Sequence, residues 1–136
     1  MSDQHALSGE VTAAAEALVS AFGRHDTAAY FAAFSPDATF VFYPTDRRLE
    51  TRAEYEALWA QWETEGFQVL GCRSIGGHVD LLTDDVAVFT HRVRTNVRLG
   101  DAEENLAERE TIVFRRAGDG AWLGVHEHLS PDPDST

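Results

Sequence analysis

From Gly9 to Gly23 the apolar residues Val11, Ala14, Leu18 and Phe22 recur at spacings of three and four. That period predicts a helix with one buried stripe, stopped at Gly23. Asp26 is placed to cap a short second helix, with Tyr30, Phe31 and Phe34 on one side and Pro36 ending it. Ala38 to Tyr43 is β-branched and aromatic, which predicts a strand ended by Pro44. Thr51 and Glu54 have the spacing of a capping box. Tyr55, Leu58, Trp59 and Trp62 then mark the buried face of a third helix, closed by Gly66.

Beyond Gly66 the period changes from helical to alternating. Phe67 to Leu82 reads as one long strand or two, with Gly76-Gly77 as a bulge or bend. Thr83-Asp84-Asp85 is a turn, and Val86 to Leu99 is a long alternating strand. Gly100 to Asn105 reads as a polar loop, Leu106 to Arg116 as a strand, Ala117 to Gly120 as a hairpin turn and Ala121 to Ser130 as the last strand. The segment 131–136 is expected to fray. Helices gathered early and strands late argue for an α+β fold, a curved antiparallel sheet wrapped around three N-terminal helices. No linker or repeat divides the chain, so residues 1–136 are expected to form one domain.

Composition narrows the functions. The chain has 136 residues and a formal net charge of −12, and all eleven basic residues are arginine. That balance disfavours binding to nucleic-acid phosphates, which needs basic clusters. No apolar run approaches the length of a membrane span, and the first residues lack the pattern of a signal peptide. The single cysteine, Cys72, has no partner for an internal disulfide. Together these predict a cytoplasmic protein, free of nucleic acid and membrane, with a quiet thiol.

The closing segment carries Thr111-Ile112-Val113-Phe114-Arg115-Arg116, then Asp119-Gly120, Trp122 and Val125-His126-Glu127-His128-Leu129-Ser130. It resembles the closing hairpin of SnoaL-like proteins in the nuclear transport factor 2-like superfamily. It is also similar to the association domain of calcium/calmodulin-dependent kinase II. The resemblance implies a cone-shaped fold, a ligand cavity between sheet and helices, and homodimers formed through the other sheet face. It fixes no activity, because this superfamily holds cyclases, isomerases, dehydratases, hydrolases and binding modules.

Strand parity sorts the candidate site residues. Phe89, His91 and Val93 share one face of their strand; Arg109, Thr111 and Val113 share a face opposite Glu110, Ile112 and Phe114. The kinase-domain resemblance turns Leu123, Val125, Glu127 and Leu129 inward. The hairpin admits two registers, pairing Thr111 with His126 or with Glu127, and the second is preferred. Glu127 is then a cavity carboxylate suited to acid or base work, with His91 as a second acid-base candidate and Arg109 as its partner or oxyanion holder. A buried Glu127–Arg109 ion pair that only fixes the sheet is an equal reading. Trp59, Tyr30 and Tyr43 are candidate ligand contacts, although aromatic residues at helical spacing are more often core.

His126 and His128 share a face, but no third ligand completes a metal site, so an interface or hydrogen-bonding role is favoured. Arg92 and Arg94 read as a solvated strand face rather than a carboxylate clamp. There is no phosphate loop, nucleophile elbow or dinucleotide fingerprint, and no cofactor is expected. Neither an Asp-Tyr isomerase pair nor a His-Asp dyad can be mapped. The function expected is binding of a small hydrophobic organic molecule, with cofactor-independent isomerase, cyclase or dehydratase chemistry. The alternative is a non-catalytic module that homodimerises.

Overall fold

A computed structural model describes residues 3–134. Helix α1 (Gln4–Gly23) begins earlier than its apolar stripe predicts, because Asp3 caps it and accepts from the His5 amide at 3.0 Å. Its buried stripe is Leu7, Val11, Ala15, Leu18 and Ala21, with Ala14 and Phe22 half-buried at the edges. Helix α2 (Thr27–Ala32) is capped by Asp26, whose Oδ1 accepts from the Ala29 amide at 3.2 Å. Phe34 does not belong to that helix, as the spacing suggested; it opens strand β1 (Phe34–Phe42). Pro36 therefore sits in an edge strand, where the register against its neighbour slips between Phe34 and Thr39 and a missing amide donor is tolerated.

Helix α3 (Arg52–Thr64) is capped by Thr51, whose Oγ1 accepts from the Glu54 amide at 3.1 Å. The return contact of the box reaches one residue further back: the Glu54 carboxylate accepts from the Glu50 amide at 3.3 Å. Tyr55 and Trp59 are buried, with Leu58 and Trp62 partly so. The chain leaves α3 through Gly66, at φ +96°, where a Cβ would lie 2.8 Å from Gly100 Cα. Only glycine permits that approach, which places the exit of α3 against the β3–β4 turn.

Strands β2 (Phe67–Thr83), β3 (Val86–Leu99), β4 (Ala102–Arg116) and β5 (Trp122–Pro131) complete the sheet, in the order β1-β5-β4-β3-β2. The anticipated bulge is present: pairing of β2 with β3 slips between Ile75 and His78, around Gly76-Gly77. The sheet is mixed rather than antiparallel, because β1 lies parallel to β5. The element order is the one the pattern predicts, with α3 following β1 and preceding the other four strands. The predicted loop from Gly100 to Asn105 shrinks to a turn, because Ala102 to Asn105 pair with Leu99 to Asn96. Polar composition misled there, on a strand end where an exposed ladder such as Arg98–Glu103 is acceptable.

One face of the sheet packs against the helices around an aromatic cluster that includes Tyr30, Phe31, Phe34, Phe40, Tyr55 and Trp59. Alternation on β3 is strict: Ala87, Phe89, His91, Val93, Thr95 and Val97 are all buried on that inner face. The C-terminal segment is held rather than frayed as far as residue 134. The Asp132 amide donates to Ala107 O at 3.0 Å, and Arg92 Nε donates to Asp132 Oδ2 at 2.7 Å. Arg94 reaches the same carboxylate at 3.1 Å, so Arg92 and Arg94 clamp this chain's own tail instead of standing free in solvent. Residues 135 and 136 of the expected tail lie outside the described residues.

Candidate functional site

The β4–β5 hairpin decides what faces inward. Near the turn, Arg116 pairs with Trp122 and Phe114 with Gly124, which is the preferred register. A bulge then shifts the pairing between Val113 and Phe114, so Thr111 pairs with His128 and Glu127 with Ile112. The cause is local. The Phe34 ring packs on Gly124, where a Cβ would lie 2.7 Å from Phe34 Cδ1. Trp122 and Gly124 point inward before the bulge and Glu127 after it; Leu123 and Val125 of the expected inward face do not.

Between the helices and the inner sheet face lies a cavity of about 1040 Å³. Leu18, Phe22, Tyr55, Leu58, Trp59 and Trp62 form its helical wall, and Val93, Thr95, Val97 and Leu129 line the sheet side. Of the six residues singled out from the sequence, Glu127, Trp59, Tyr30 and Tyr43 line it. His91 does not reach the cavity directly; its ring is buried behind Glu110. Arg109 is not Glu127's partner: it is exposed on the outer face, in a groove with Thr111, His128 and Ser130. The one-residue slip at the bulge is what separates them.

Glu108, Glu110 and Glu127 and the phenols Tyr30, Tyr43 and Tyr55 meet this apolar space. Glu127 is 3% exposed, and its Oε1 has no hydrogen-bond partner. Burial pushes Glu127 well above the usual carboxylate range, and the Glu110 charge beside it pushes further the same way. Burial also acts on Glu110, but hydrogen bonds from Glu127 and His91 outweigh it and hold Glu110 below its usual value. The pair therefore consists of a protonated Glu127 sharing its hydrogen with an ionised Glu110. Glu110 Oε1 lies 2.7 Å from His91 Nε2, and His91 Nδ1 lies 2.6 Å from Ser74 Oγ. In the neutral imidazole, Nε2–H donates to Glu110 and Nδ1 accepts from the Ser74 hydroxyl.

On the helical side the Tyr30 and Tyr55 hydroxyls are 2.9 Å apart, and burial raises both phenols well above their ordinary range. Toward the mouth, Tyr43 donates to Glu108 Oε2 at 2.7 Å. Burial lifts Glu108, only partly offset by that hydrogen bond. Tyr43 is pushed up to about 12 by burial and by Glu108. Cys72 also lines the cavity, and burial moves its thiol to about 11, so it stays protonated at neutral pH. Among the described residues no group of three or more His, Cys, Asp or Glu is arranged to hold a metal ion. His126 instead lies 2.7 Å from Thr39 Oγ1.

Sequence reading missed Glu110, and with it the His91–Glu110 dyad. The signal was available: Glu110 shares its strand face with Ile112 and Phe114, both fully buried here. A carboxylate that keeps the parity of two core residues is a buried carboxylate.

Among the described residues, a carboxyl pair with a histidine behind one of its members meets a large apolar cavity between a five-stranded mixed sheet and three helices of an α+β domain. The chain belongs to the SnoaL-like domain family, whose model matches residues 11–133. The fold is that of the nuclear transport factor 2-like superfamily. A superfamily protein from Salmonella enterica serovar Typhimurium superposes with TM-score 0.83 at 13% identity, covering 98% of this chain and 96% of its own. A calcium/calmodulin dependent protein kinase II association-domain-like protein from Xanthomonas campestris gives TM-score 0.74 at 22% identity, over 92% and 87% of the two chains. A protein from Catenulispora acidiphila, in complex with S-DNPA, gives 0.77 at 17% identity, over 95% and 96%. No curated protein is similar enough to the chain to match it. No helix among the described residues is long and apolar enough to cross a membrane.

Proposed function

We propose that this protein binds a small, hydrophobic, oxygen-bearing organic molecule in the cavity and moves a proton to or from it through Glu127. The observation that carries this reading is the buried Glu127 carboxyl, whose Oε1 has no hydrogen-bond partner, in the wall of an apolar space large enough for a ligand. A protonated carboxyl there donates to a ligand oxygen or to charge developing on it. Glu110 sets its protonation, and His91 and Ser74 orient Glu110 from behind. Tyr30 and Tyr55 supply phenol donors beside Glu127, and Trp59 packs against the ligand. The protein from Catenulispora, bound to S-DNPA, supports a binding role for the fold; the reaction class we propose is that of an isomerase, cyclase or dehydratase.

The test is binding of 2-acetonaphthone, a neutral aromatic ketone, followed by quenching of tryptophan fluorescence. Saturable binding in the wild type, weakened about tenfold by the cavity-filling Val93→Phe change, supports the reading. Equal binding by the filled variant refutes it. For a substrate found by screening, Glu127→Gln should abolish turnover while binding persists.

A second reading rests on the sheet's outer face, which no helix among the described residues covers and which carries the half-buried Val88, Val113 and Leu123. We propose that this face forms a homodimer. Sedimentation velocity at micromolar concentration should show a species of twice the chain mass; a monomer refutes it. A cytoplasmic location belongs to the same proposal, since the free, protonated Cys72 needs no oxidising compartment.

A further inference from the structure

The charges around the cavity are lopsided. Glu108, Glu110 and Glu127 face it from β4 and β5, and Glu104, Glu65 and Asp46 stand near its mouth. Among the described residues the one cationic side chain on its wall is Arg47, already engaged by Glu54 at 2.9 Å. A ligand carboxylate or phosphate entering this space meets no free cation there and at least one ionised glutamate. The remaining wall is largely apolar, and Phe22, Tyr30, Tyr55, Trp59, Trp62 and Phe67 bring aromatic rings to it. Ring faces attract organic cations, and do so most strongly away from water. At the bottom, Glu127 Oε1 is buried and lacks a partner.

We propose that the cavity selects its ligand by charge, taking aromatic or alicyclic molecules that carry a cationic nitrogen and excluding those that carry an anionic group. The proposal rests on the ligand-binding reading and adds the chemical class of the ligand. The cationic nitrogen sits among the aromatic rings within reach of the carboxyl pair. It supplies the positive charge that the unpartnered Glu127 oxygen lacks. With a cation in place both members of the Glu127–Glu110 pair can ionise, so binding expels the proton they share. The groups that set this titration are Glu110 and Glu108 on β4, His91 on β3, Tyr30 on α2 and Tyr55 on α3. The glutamates and phenols bring no positive charge to Glu127, and His91 is occupied by Glu110 and Ser74. The carboxylate form of Glu127 is then the base of the proton-transfer step, with the phenols as donors.

Three naphthalenes of matched shape test this by isothermal titration calorimetry: (2-naphthylmethyl)trimethylammonium, 2-naphthalenemethanol and 2-naphthoate. The expected order is ammonium tightest, then alcohol, with the carboxylate weaker than the ammonium by about tenfold or more. Titration in buffers of different ionisation enthalpy should show proton release with the ammonium and none with the alcohol. Ammonium affinity should rise from about pH 5 to about pH 8 as Glu127 gives up its proton more easily, while alcohol affinity stays flat. Glu127→Gln keeps the shape and should lose both the proton release and the pH dependence. Glu103→Gln, at an exposed carboxyl outside the cavity lining, should keep the proton release and serves as the folded control. An alcohol that binds as tightly as the ammonium, or a carboxylate that matches it, overturns the charge preference and leaves ligand binding intact. Failure of all three naphthalenes to bind at millimolar concentration overturns both readings.

Discussion

Replacing Glu127 by glutamine mimics its protonated form and removes one titration from the folded protein. Glu127 sits well above its ordinary value of 4.5 because it is buried and faces ionised Glu110. A carboxyl whose folded value is raised stabilises the fold below the unfolded value and loses that contribution as pH rises toward the folded one. Between those limits the unfolded chain has released a proton that the folded chain still holds. Wild-type stability therefore falls relative to the variant by about 1.4 kcal/mol per pH unit, the full slope for one proton. With a urea m-value of about 1.5 kcal/mol/M, that is a relative shift of about 0.9 M in midpoint per pH unit. Urea unfolding of both proteins at intervals from about pH 5 upward reads this directly. Using the difference between the two removes titrations they share, including the raised Glu108. Parallel midpoint curves would refute the reasoning, since they would mean that Glu127 ionises in its ordinary range and Glu110 does not hold it protonated.

Other outcomes follow from the same geometry. Tyr55→Phe strands the buried Tyr30 hydroxyl, 2.9 Å away, and should cost about 1–3 kcal/mol in chemical denaturation; Tyr30→Phe should behave alike, and the double variant should cost less than the sum. Gly124→Ala places a Cβ 2.7 Å from Phe34 Cδ1 and should cost about 1–3 kcal/mol, with altered amide shifts across the β4–β5 bulge. Thr51→Ala removes the cap of α3 and should lower stability by about 1 kcal/mol without affecting ligand binding. At the acid end, Arg92 first and other neighbours hold Asp132 at about 2. The tail contact should therefore be present above the ordinary value of 3.8 and lost as pH falls through about 2, seen as exchange of the Asp132 amide.

Local chemistry made much of the fold legible. Thr51 and Glu54 announced α3, and the strict alternation of β3 placed Phe89, His91 and Val93 on one face by period alone. What failed was set by tertiary contacts. Parallel pairing of β1 with β5 joins residues far apart in the chain, and no local signal encodes it. The bulge in the closing hairpin lies where the Phe34 ring, from a strand distant in the chain, packs on Gly124; it turns Glu127 onto the face of Glu110, while the unbroken pairing of β3 with β4 keeps Arg109 beside Arg92 on the outer face. Glu127 still came out inward. His91 was rightly buried but acts through Glu110, a residue whose strand parity was written in the sequence and not used. The tail looked frayed because its Pro-Asp composition is that of a coil; Arg92 and Arg94 order it from across the sheet.

The most direct test of the central claim is a methyl NMR titration with 2-acetonaphthone. Ligand in the cavity should shift Leu18, Leu58, Val93, Val97 and Leu129, which line it, and leave Val88 and Leu123 on the outer face unmoved. Shifts centred on Val88 and Leu123, or none at all at millimolar ligand, would contradict a binding site between the sheet and the helices.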